Sequence, residues 1–298
     1  MDIFKFFDKL GKENRALILY SLLNRIPIIV FGKVSEDINE VINELMDLIK
    51  FRKELIYYTD FVSKQEYEDL ILNEYNDYNC ARIQIRCLAN VSSILIDEFD
   101  TLESIIIGIR LPDSKRDLKI IQQRISNKTK DHIELFLKNG NTEVITNIMN
   151  KKILNLYIEE SIFQKVSKDT EKSINKMKRV LSEELRKNKI DIELEEALLN
   201  FELEKKEIKR NIFNKEVQSF YSGAKRAFFI LLKLKLINQM QLQSMIGSRT
   251  LLETIDYEEA PIERILSFIK NEWGEDFTSL IYNNKLTLLG EKIQSFWG

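Results

Sequence analysis

Histidine is almost absent from this chain, since His132 is the only one among 298 residues. Serine-hydrolase triads and paired-histidine metal sites both need histidine in a fixed geometry, so a single histidine argues against either chemistry. His132 falls in Lys130–Glu134, a polar stretch with helical character. We therefore expect His132 to lie on the surface without a chemical role.

Cysteine is scarce as well, with only Cys80 and Cys87. Their spacing matches no zinc module, and no second pair is present to complete four ligands. Two thiols without a signal peptide predict a reducing, cytoplasmic environment. No apolar run reaches about 18 residues, so no transmembrane helix is expected. We expect neither a metal nor another cofactor.

Glycine and proline are rare, at nine and three residues, and the net charge is only -2. These two residues are the main helix breakers, so their scarcity predicts long uninterrupted helices. A net charge near zero gives no global electrostatic footprint for nucleic acid.

The first 112 residues alternate between helical and strand patterns. The apolar run Ile28–Phe31, between Pro27 and Gly32, is typical of a central strand buried on both faces. Ala81–Leu88 alternates between apolar and polar residues, which predicts a half-exposed strand at a sheet edge. We predict strands at 28–31, 55–58, 81–88, 91–96 and 105–111, and helices at 13–26, 35–50 and 63–73.

Beyond Pro112 the pattern is helical almost to the end. One helix is predicted over 117–139, and residues 142–218 contain neither glycine nor proline. Two apolar stripes in that stretch, with a break near Asn188, predict an antiparallel helical hairpin. Its charged surface is either a solvated face or a coiled-coil arm for a homodimer or a partner.

The predicted fold class is therefore α+β, with an N-terminal α/β sheet domain followed by helices. We divide the chain into an α/β domain at 1–112, an extended helical region at 113–218 and a helical C-terminal module at 219–298. The module is expected to bury Trp273, Phe277 and Trp297 against the apolar helix at 224–237.

The first twelve residues form an amphipathic segment. Ile3, Phe6, Phe7 and Leu10 share one helical face, and three lysines are interspersed. The segment is either a helix docked on the domain or a surface for peripheral contact with a membrane or a partner.

One segment has the form of half an ATPase site. In Ile94–Glu98, an apolar run places Asp97 and Glu98 at its polar end, where one carboxylate would hold Mg²⁺ and the other orient water. The phosphate loop is reduced to Phe31–Ser35, with one glycine, and is too short to encircle a triphosphate. The nucleotide hypothesis therefore rests on the residues Gly32, Lys33, Ser35, Asp97 and Glu98.

Two other interpretations of these acids stay open. Asp97–Asp100 also fits a β-turn between adjacent strands, since acidic side chains bond local backbone in turns. Asp60 and Asp97 are both predicted at strand ends, where a pair of carboxylates would act in acid–base catalysis.

Nucleic acid binding is a further alternative. Arg82 and Arg86 on the exposed face of one strand would form a basic patch with Arg110, Lys115, Arg116 and Lys119. The C-terminal helices have a winged-helix-like order, but the region near Ser248 and Arg249 is poor in basic residues.

A stretch of the N-terminal half resembles DENN/longin-type domains. The resemblance lies in the helix from Glu13 to Ile26, the strand Ile28–Gly32, the helix at 35–50 and the later apolar strand Ser104–Ile109. It covers about 100 residues by pattern alone, and residues 51–91 do not match. It implies a domain that docks or regulates small GTPases.

These observations favour a non-enzymatic protein-interaction or regulatory scaffold, whose partner is a small GTPase or a membrane-associated assembly. A degenerate nucleotide-binding, ATPase-like protein is the first alternative. A nucleic-acid-binding protein with a winged-helix-like C-terminus is the second.

Overall fold

The computed structural model describes residues 2–138, 141–149, 154–187, 194, 198–258 and 260–282. The fold is α+β, as predicted, with an N-terminal sheet domain and a helical C-terminal region. Within the described residues, no helix combines the length and the apolar character that crossing a membrane requires.

A six-stranded sheet forms the N-terminal part. Its spatial order is β2-β3-β4-β1-β5-β6, and all neighbours are parallel except the antiparallel pair β5 and β6. From β1 the chain crosses to β2 at the edge, returns through β3 and β4, and then crosses β1 to reach β5. The strands are β1 (Ile28–Gly32), β2 (Lys53–Ile56), β3 (Ile83–Cys87), β4 (Ile105–Arg110), β5 (His132–Lys138) and β6 (Asn141–Asn147).

Helices connect the strands and make up most of the C-terminal part. They are α1 (Ile3–Leu23), α2 (Ser35–Met46), α3 (Lys64–Asn76), α4 (Ser92–Glu98), α5 (Lys115–Lys128), α6 (Tyr157–Lys187), α7 (Glu202–Gln239), α8 (Ser248–Thr254) and α9 (Ile262–Trp273). A small parallel pair joins β7 (Ile246–Gly247) to β8 (Ile281–Tyr282).

The sheet separates two apolar cores, because successive strand residues point to opposite faces. In β1, Ile28 and Val30 belong to the core that includes α1, α2 and the long C-terminal helices. Ile29 and Phe31 belong to the other core, which includes residues of α4 and α5. We call these sides the α2 face and the α4 face. The prediction that β1 is buried on both faces is confirmed.

The long helices α6 and α7 pack as the predicted antiparallel hairpin. Phe163 and Phe213 meet near its base, with ring centroids 5.6 Å apart, and Phe201 lies beside Met177 and Val180 toward its outer end. At 1.5 Å per residue, the 31 residues of α6 span about 46 Å. The expected break near Asn188 lies outside the described residues.

The C-terminal module packs on α7 through aromatic side chains. Trp273 stacks on Phe228 with centroids 4.7 Å apart, and Phe277 packs on the same ring. Both were predicted to be buried against the helix at 224–237, and both are. Trp297 lies outside the described residues.

The sheet continues beyond Pro112, contrary to the prediction that the chain is helical from there onward. The helix predicted over 117–139 ends at Lys128, and residues 132–138 form β5 beside β1. Strand β6 then occupies the start of the region predicted to be wholly helical. Ile133 and Leu135 alternate into the α2-face core, so the period of two was present but was taken for a helix.

The strand β3 is an interior strand and not the predicted edge, since β2 and β4 pair with it on either side. Arg82 and Gln84, expected on an exposed face, are buried. Ion pairing and hydrogen bonding make this burial possible: Gln84 accepts from Arg52, and Arg82 lies beside Glu74.

The amphipathic N-terminal segment is the first part of α1. Its apolar residues are buried in the core of the α2 face, where Phe4 packs against Phe213 and Phe7 against Phe163. Of the two alternatives for this segment, its apolar face fits a helix docked on the domain.

Candidate functional site

A cavity of about 590 Å³ opens at the carboxyl end of β1. This is the place where the order of the parallel strands reverses, since β2 lies on one side of β1 and β5, which follows β4 in the chain, lies on the other. Ligands of open α/β sheets bind in the crevice at such a reversal. We call this cavity the switch-point cavity. It is lined by Asp2, Lys5, Phe6, Lys9, Gly32, Lys33, Val34, Asp37, Glu40, Val41, Leu111, Leu137, Lys138 and Thr142.

The cavity combines apolar side chains with charged groups. Phe6 is buried, Leu111 and Leu137 are half-buried, and four lysines line the same cavity. Lys138 pairs with Glu143, whereas Lys33 makes no ion pair with any described residue and is exposed. Lys33 and the likewise exposed Lys5 are therefore the cations in this cavity without an ion pair among the described residues.

The start of α2 lies at the same cavity but is not shaped as a phosphate cradle. Ser35 is the first residue of the helix, and Val34 occupies the N-cap position without a side-chain hydrogen bond. Glu36 and Asp37 already place negative charge in the first turn, where it favours the helix and opposes a second anion.

Gly32 serves helix packing. A Cβ atom at this position would lie 2.8 Å from Cγ1 of Ile38. Because such a contact is closer than carbon atoms tolerate, glycine is needed for α2 to lie against the sheet. Helix packing explains this single glycine. It therefore gives no evidence of a glycine-rich loop that would surround phosphates.

Asp97 and Glu98 do not belong to a strand. The predicted strand at 91–96 is wrong, because Ser92–Glu98 form α4. A short apolar run does not distinguish a strand from a buried helix, and here Leu95 and Ile96 face the core while Ile94 is exposed. The same finding removes the predicted β-turn between adjacent strands at Asp97–Asp100.

The two halves of the nucleotide hypothesis lie on opposite sides of the sheet. Lys33 precedes α2 on one face, and α4 packs against the other. Asp97 accepts a hydrogen bond from Arg124 at 2.7 Å, and Glu98 accepts one from the Tyr57 hydroxyl at 3.2 Å. Burial, followed by the charge of Glu98, raises the pKa of Tyr57.

The carboxylate pair Asp60 and Asp97 is not assembled either. Asp60 accepts a hydrogen bond from the backbone N–H of Ile56 at 2.7 Å, which is the local role of an acid in a turn. Asp97 is engaged by Arg124 from α5.

The basic patch predicted for nucleic acid loses two of its six residues. Arg82 is buried, and Arg86 pairs with Glu54 at 2.8 Å. In the winged-helix-like module, Arg249 pairs with Glu253, and the one arginine of α9, Arg264, is buried against Glu159. No basic recognition face is formed by the described part of this module.

A second cavity, of about 600 Å³, lies near the outer end of the α6–α7 hairpin. Met177 and Val180 contribute apolar surface to it and are 38% and 51% exposed. We call this cavity the hairpin-tip cavity. Its lining is Ser173, Lys176, Met177, Val180, Leu181, Glu184 and Phe201.

His132 lies in a buried polar cluster that the sequence did not indicate. Its Nε2 is 3.0 Å from Nδ2 of Asn147 and 3.4 Å from Oε1 of Glu134, whose Oε2 accepts a hydrogen bond from Gln122. The expectation of a surface histidine is wrong, because residue 132 belongs to β5. The described residues contain no group of side chains arranged to hold a metal ion.

Comparisons with known proteins add no family. No family model, no curated protein and no solved structure matches the chain.

Proposed function

We propose that this chain is a non-enzymatic interaction protein that docks a partner protein through the outer end of its α6–α7 hairpin. The observation that carries the proposal is the hairpin-tip cavity, a concave and mainly apolar surface on a charged pair of helices. Exposed apolar patches on otherwise charged surfaces mark interaction sites.

Burial along the hairpin supports this assignment. Near the base, Phe163, Val166 and Phe213 are buried in the core of the α2 face. From residue 175 to residue 184, every residue of α6 is half-buried or exposed. This stretch, which ends before the buried Leu185, therefore has accessible apolar side chains.

The shape of the cavity favours a helical partner segment. Val180 and Leu181 follow Met177 by three and four residues, and Glu184 follows them by four and three, so all four share one side of α6. Phe201 closes the cavity from the other helix. An amphipathic helix that inserts apolar side chains between α6 and α7 fits such a groove.

The resemblance of the N-terminal domain to DENN/longin-type domains makes a small GTPase the first partner class to test. A second copy of this chain and a membrane-associated assembly are the other partners that the proposal allows. A cytoplasmic location belongs to the same proposal, and its support is the scarcity of cysteine, with two thiols in the chain.

The experiment compares the wild-type protein with the double variant Met177→Glu/Val180→Glu. Both side chains are exposed and glutamate suits a helix, so the variant should fold. Proteins captured from the source cells by each form are quantified, and each one lost from the variant is purified and titrated directly. We expect at least one to bind wild type and to bind the variant at least tenfold more weakly.

The matched control is Leu72→Glu on α3, which introduces the same charge at an exposed leucine away from the hairpin. It should retain every partner. Light scattering of the three proteins decides whether the partner is a second copy. Capture of the same proteins in equal amounts by wild type and the double variant would refute the hairpin assignment.

The switch-point cavity supports a second candidate function, the non-hydrolytic binding of an anionic small molecule. Its specific support is Lys33, which has no ion pair with a described residue and lies beside an apolar wall at the reversal of the strand order. Hydrolysis is not part of this candidate, because Asp97 and Glu98 lie on the α4 face.

Thermal-shift measurements with ATP and GTP, each with and without Mg²⁺, test this second candidate. Binding at millimolar nucleotide should raise the melting temperature, and Lys33→Ala should remove the rise. Lys119→Ala, on exposed α5 surface, is the control. An unchanged melting temperature with every nucleotide would end the nucleotide version of this candidate.

A further inference from the structure

The six-stranded sheet has two edge strands, and they differ in how they are protected. Strand β2 forms one edge and β6 the other, since each pairs with a single neighbour among the described strands. The outer side of an edge strand presents unpaired backbone N–H and C=O groups, which can pair with a strand of another chain. Each edge is therefore a place where the sheet can be extended, unless its side chains prevent it.

The edge at β2 is blunted. The strand has four residues, and the first two, Lys53 and Glu54, are charged and exposed. Glu54 pairs with Arg86 of the neighbouring strand at 2.8 Å. A short edge strand with charged side chains opposes pairing with another chain.

The edge at β6 is longer and carries less charge. The strand runs over the seven residues Asn141–Asn147 without proline, glycine or a basic residue, and Glu143 is its one charged residue. Its central residues include four that are β-branched, a class that favours strands: Thr142, Val144, Ile145 and Thr146. The features that usually protect an edge are thus weak in β6.

The burial of the residues indicates that β6 is open on its outer side. Five of the seven residues of β5 are buried, whereas no residue from 142 to 147 is. Successive residues of an antiparallel strand direct their backbone groups alternately toward the neighbour and away from it. About half of the backbone groups of β6 therefore point away from β5, and no described backbone group forms a hydrogen bond with them.

The strand is complementary to a second copy of itself. When two identical strands pair antiparallel with full overlap of residues 141–147, the twofold axis passes through the position of Val144. Thr142 of one copy then lies opposite Thr146 of the other, and Glu143 lies opposite Ile145. No glutamate faces a glutamate, so like charges are not opposed.

The two faces of the sheet agree with this arrangement. A twofold axis perpendicular to the sheet keeps the α2 faces of both copies on the same side. The two copies of Val144, which packs against the core of the α2 face, would meet on that side. Opposed pairs of β-branched side chains stabilise antiparallel strands, as do opposed threonines.

We propose that this chain forms a homodimer in which the β6 strands of two copies pair antiparallel about Val144 and join the two sheets into one. A second copy supplies the match for the single charge and the β-branched residues of β6 by symmetry. Because the pairing occupies β6 and the β2 edge is blunted, assembly of the sheet stops at two copies.

The dimer would affect the proposed partner binding without sharing its surface. Strand β6 and the hairpin-tip cavity have no residue in common. A dimer would therefore carry two hairpin-tip cavities, and two linked sites bind a bivalent partner more tightly than one.

Analytical ultracentrifugation of the full chain over a series of concentrations measures the monomer–dimer equilibrium. We expect dimers and no larger species. Hydrogen exchange above and below the dissociation constant tests the surface directly, because the amides of residues 142–147 should gain protection as the dimer forms. This measurement needs no variant.

Charge variants at positions 143 and 145 test the register. Ile145→Lys places the new lysine opposite Glu143 of the other copy, so the dimer should be retained. Glu143→Lys/Ile145→Lys opposes lysine to lysine at two places, so its dissociation constant should be at least about tenfold higher. Both positions are exposed, so both variants should fold, which their melting temperatures check. The lost pair of Glu143 with Lys138 is exposed and contributes little to stability.

A third variant, Ile145→Glu, opposes glutamate to glutamate and should weaken the homodimer in the same way. A mixture of Ile145→Glu with Glu143→Lys/Ile145→Lys should form heterodimers, because each lysine then faces a glutamate. An interface elsewhere on the molecule would not give this recovery.

A wild-type protein that stays monomeric at every concentration up to its solubility limit would overturn the proposal. A homodimer of Glu143→Lys/Ile145→Lys that is as stable as that of Ile145→Lys would overturn it too, and so would a mixture that does not pair. The dimer should persist in Met177→Glu/Val180→Glu, so a failure of this proposal and a failure of the hairpin assignment are distinguishable.

Discussion

Arg52 and Glu272 are 220 positions apart in the sequence, and their side chains form a completely buried ion pair. Arg52 also caps the carboxyl end of α1 through the carbonyls of Leu22 and Leu23. Three parts of the chain therefore meet at one guanidinium: the end of α1, the start of β2 and the end of α9. The C-terminal helices are tied to the sheet domain by this contact.

Removing one partner of this pair should destabilise the protein strongly. Glu272→Gln leaves a buried guanidinium without its counter-charge, and we expect a loss of about 3–5 kcal/mol in the free energy of unfolding. Urea denaturation measures it. Arg226→Met, which breaks the exposed pair with Asp256, is the control and should cost at most about 1 kcal/mol.

The double variant Arg52→Met/Glu272→Leu separates the pair from its surroundings. It should lose less free energy of unfolding than the sum of the losses in Arg52→Met and in Glu272→Leu. In the double variant, neither charge remains buried alone. Additive losses would mean that the two side chains contribute independently.

Gly32→Ala should test whether this glycine serves packing. The new methyl group would meet Cγ1 of Ile38 at 2.8 Å, so we expect a loss of about 1–3 kcal/mol. Combined with Ile38→Ala, the same substitution should cost less, because the obstructing atoms are gone. A cost that does not depend on residue 38 would contradict the packing role.

Gly11→Ala is the comparison for that experiment. Nothing lies within 4 Å of a Cβ at Gly11, but its φ is +78°, so its cost should come from the backbone. The Ile38→Ala substitution should leave the cost at Gly11 unchanged.

Cys87 should be unreactive in the folded protein. Burial raises its pKa to about 12, above the ordinary value of 9.0, so little thiolate forms near pH 8. The half-buried Cys80 should react first with a thiol reagent, and two thiols should be counted only after unfolding. Rapid labelling of both in the native state would contradict the burial of Cys87.

The raised pKa of Cys87 also makes the free energy of unfolding depend on pH in the alkaline range. Because the folded pKa of Cys87 lies above the unfolded value, its contribution is complete below pH 9 and is lost as the pH rises toward 12. Between pH 8 and pH 10.5 the wild-type protein should lose about 2 kcal/mol more than Cys87→Ala. Urea denaturation of both proteins at the two pH values gives this difference.

Phe4→Ala should destabilise the fold, because the first residues of α1 are part of the core. Phe4 is buried against Phe213, so truncation leaves a cavity and should cost about 3–5 kcal/mol in the free energy of unfolding.

Flotation with anionic vesicles should show no binding of the wild-type protein through residues 1–12. Recovery of wild type with the vesicles, and its loss in Lys5→Glu/Lys9→Glu, would contradict the docked position of this segment.

Elements with a strong local signal were predicted from the sequence. The run Ile28–Phe31 gave β1 because it is short, β-branched and bounded by proline and glycine. Ser63 and Glu66 form the capping box that begins α3, a signal carried by two residues three positions apart. The scarcity of glycine and proline predicted long helices, and two apolar stripes with a break between them predicted the hairpin α6–α7.

Elements without such a signal were not predicted. The run Val91–Ile96 is too short for its hydrophobic periodicity to distinguish a helix from a strand. Its conformation was decided by the packing of Leu95 and Ile96 against the sheet. The strand β5 was taken for part of a helix, because no proline or glycine separates it from α5. That error also placed His132 on the surface.

The sequence by itself determined the α+β class, the central strand β1, the helical C-terminal region and the lack of a complete phosphate loop. These follow from local chemistry: β-branched runs, caps, breakers and the residues that a loop must contain. Only the tertiary structure decided that Asp97 and Lys33 lie on opposite faces of the sheet. It alone placed Arg52 and Arg82 in the interior beside Glu272 and Glu74, because strand order and the partners of a buried charge depend on contacts between residues far apart in the chain.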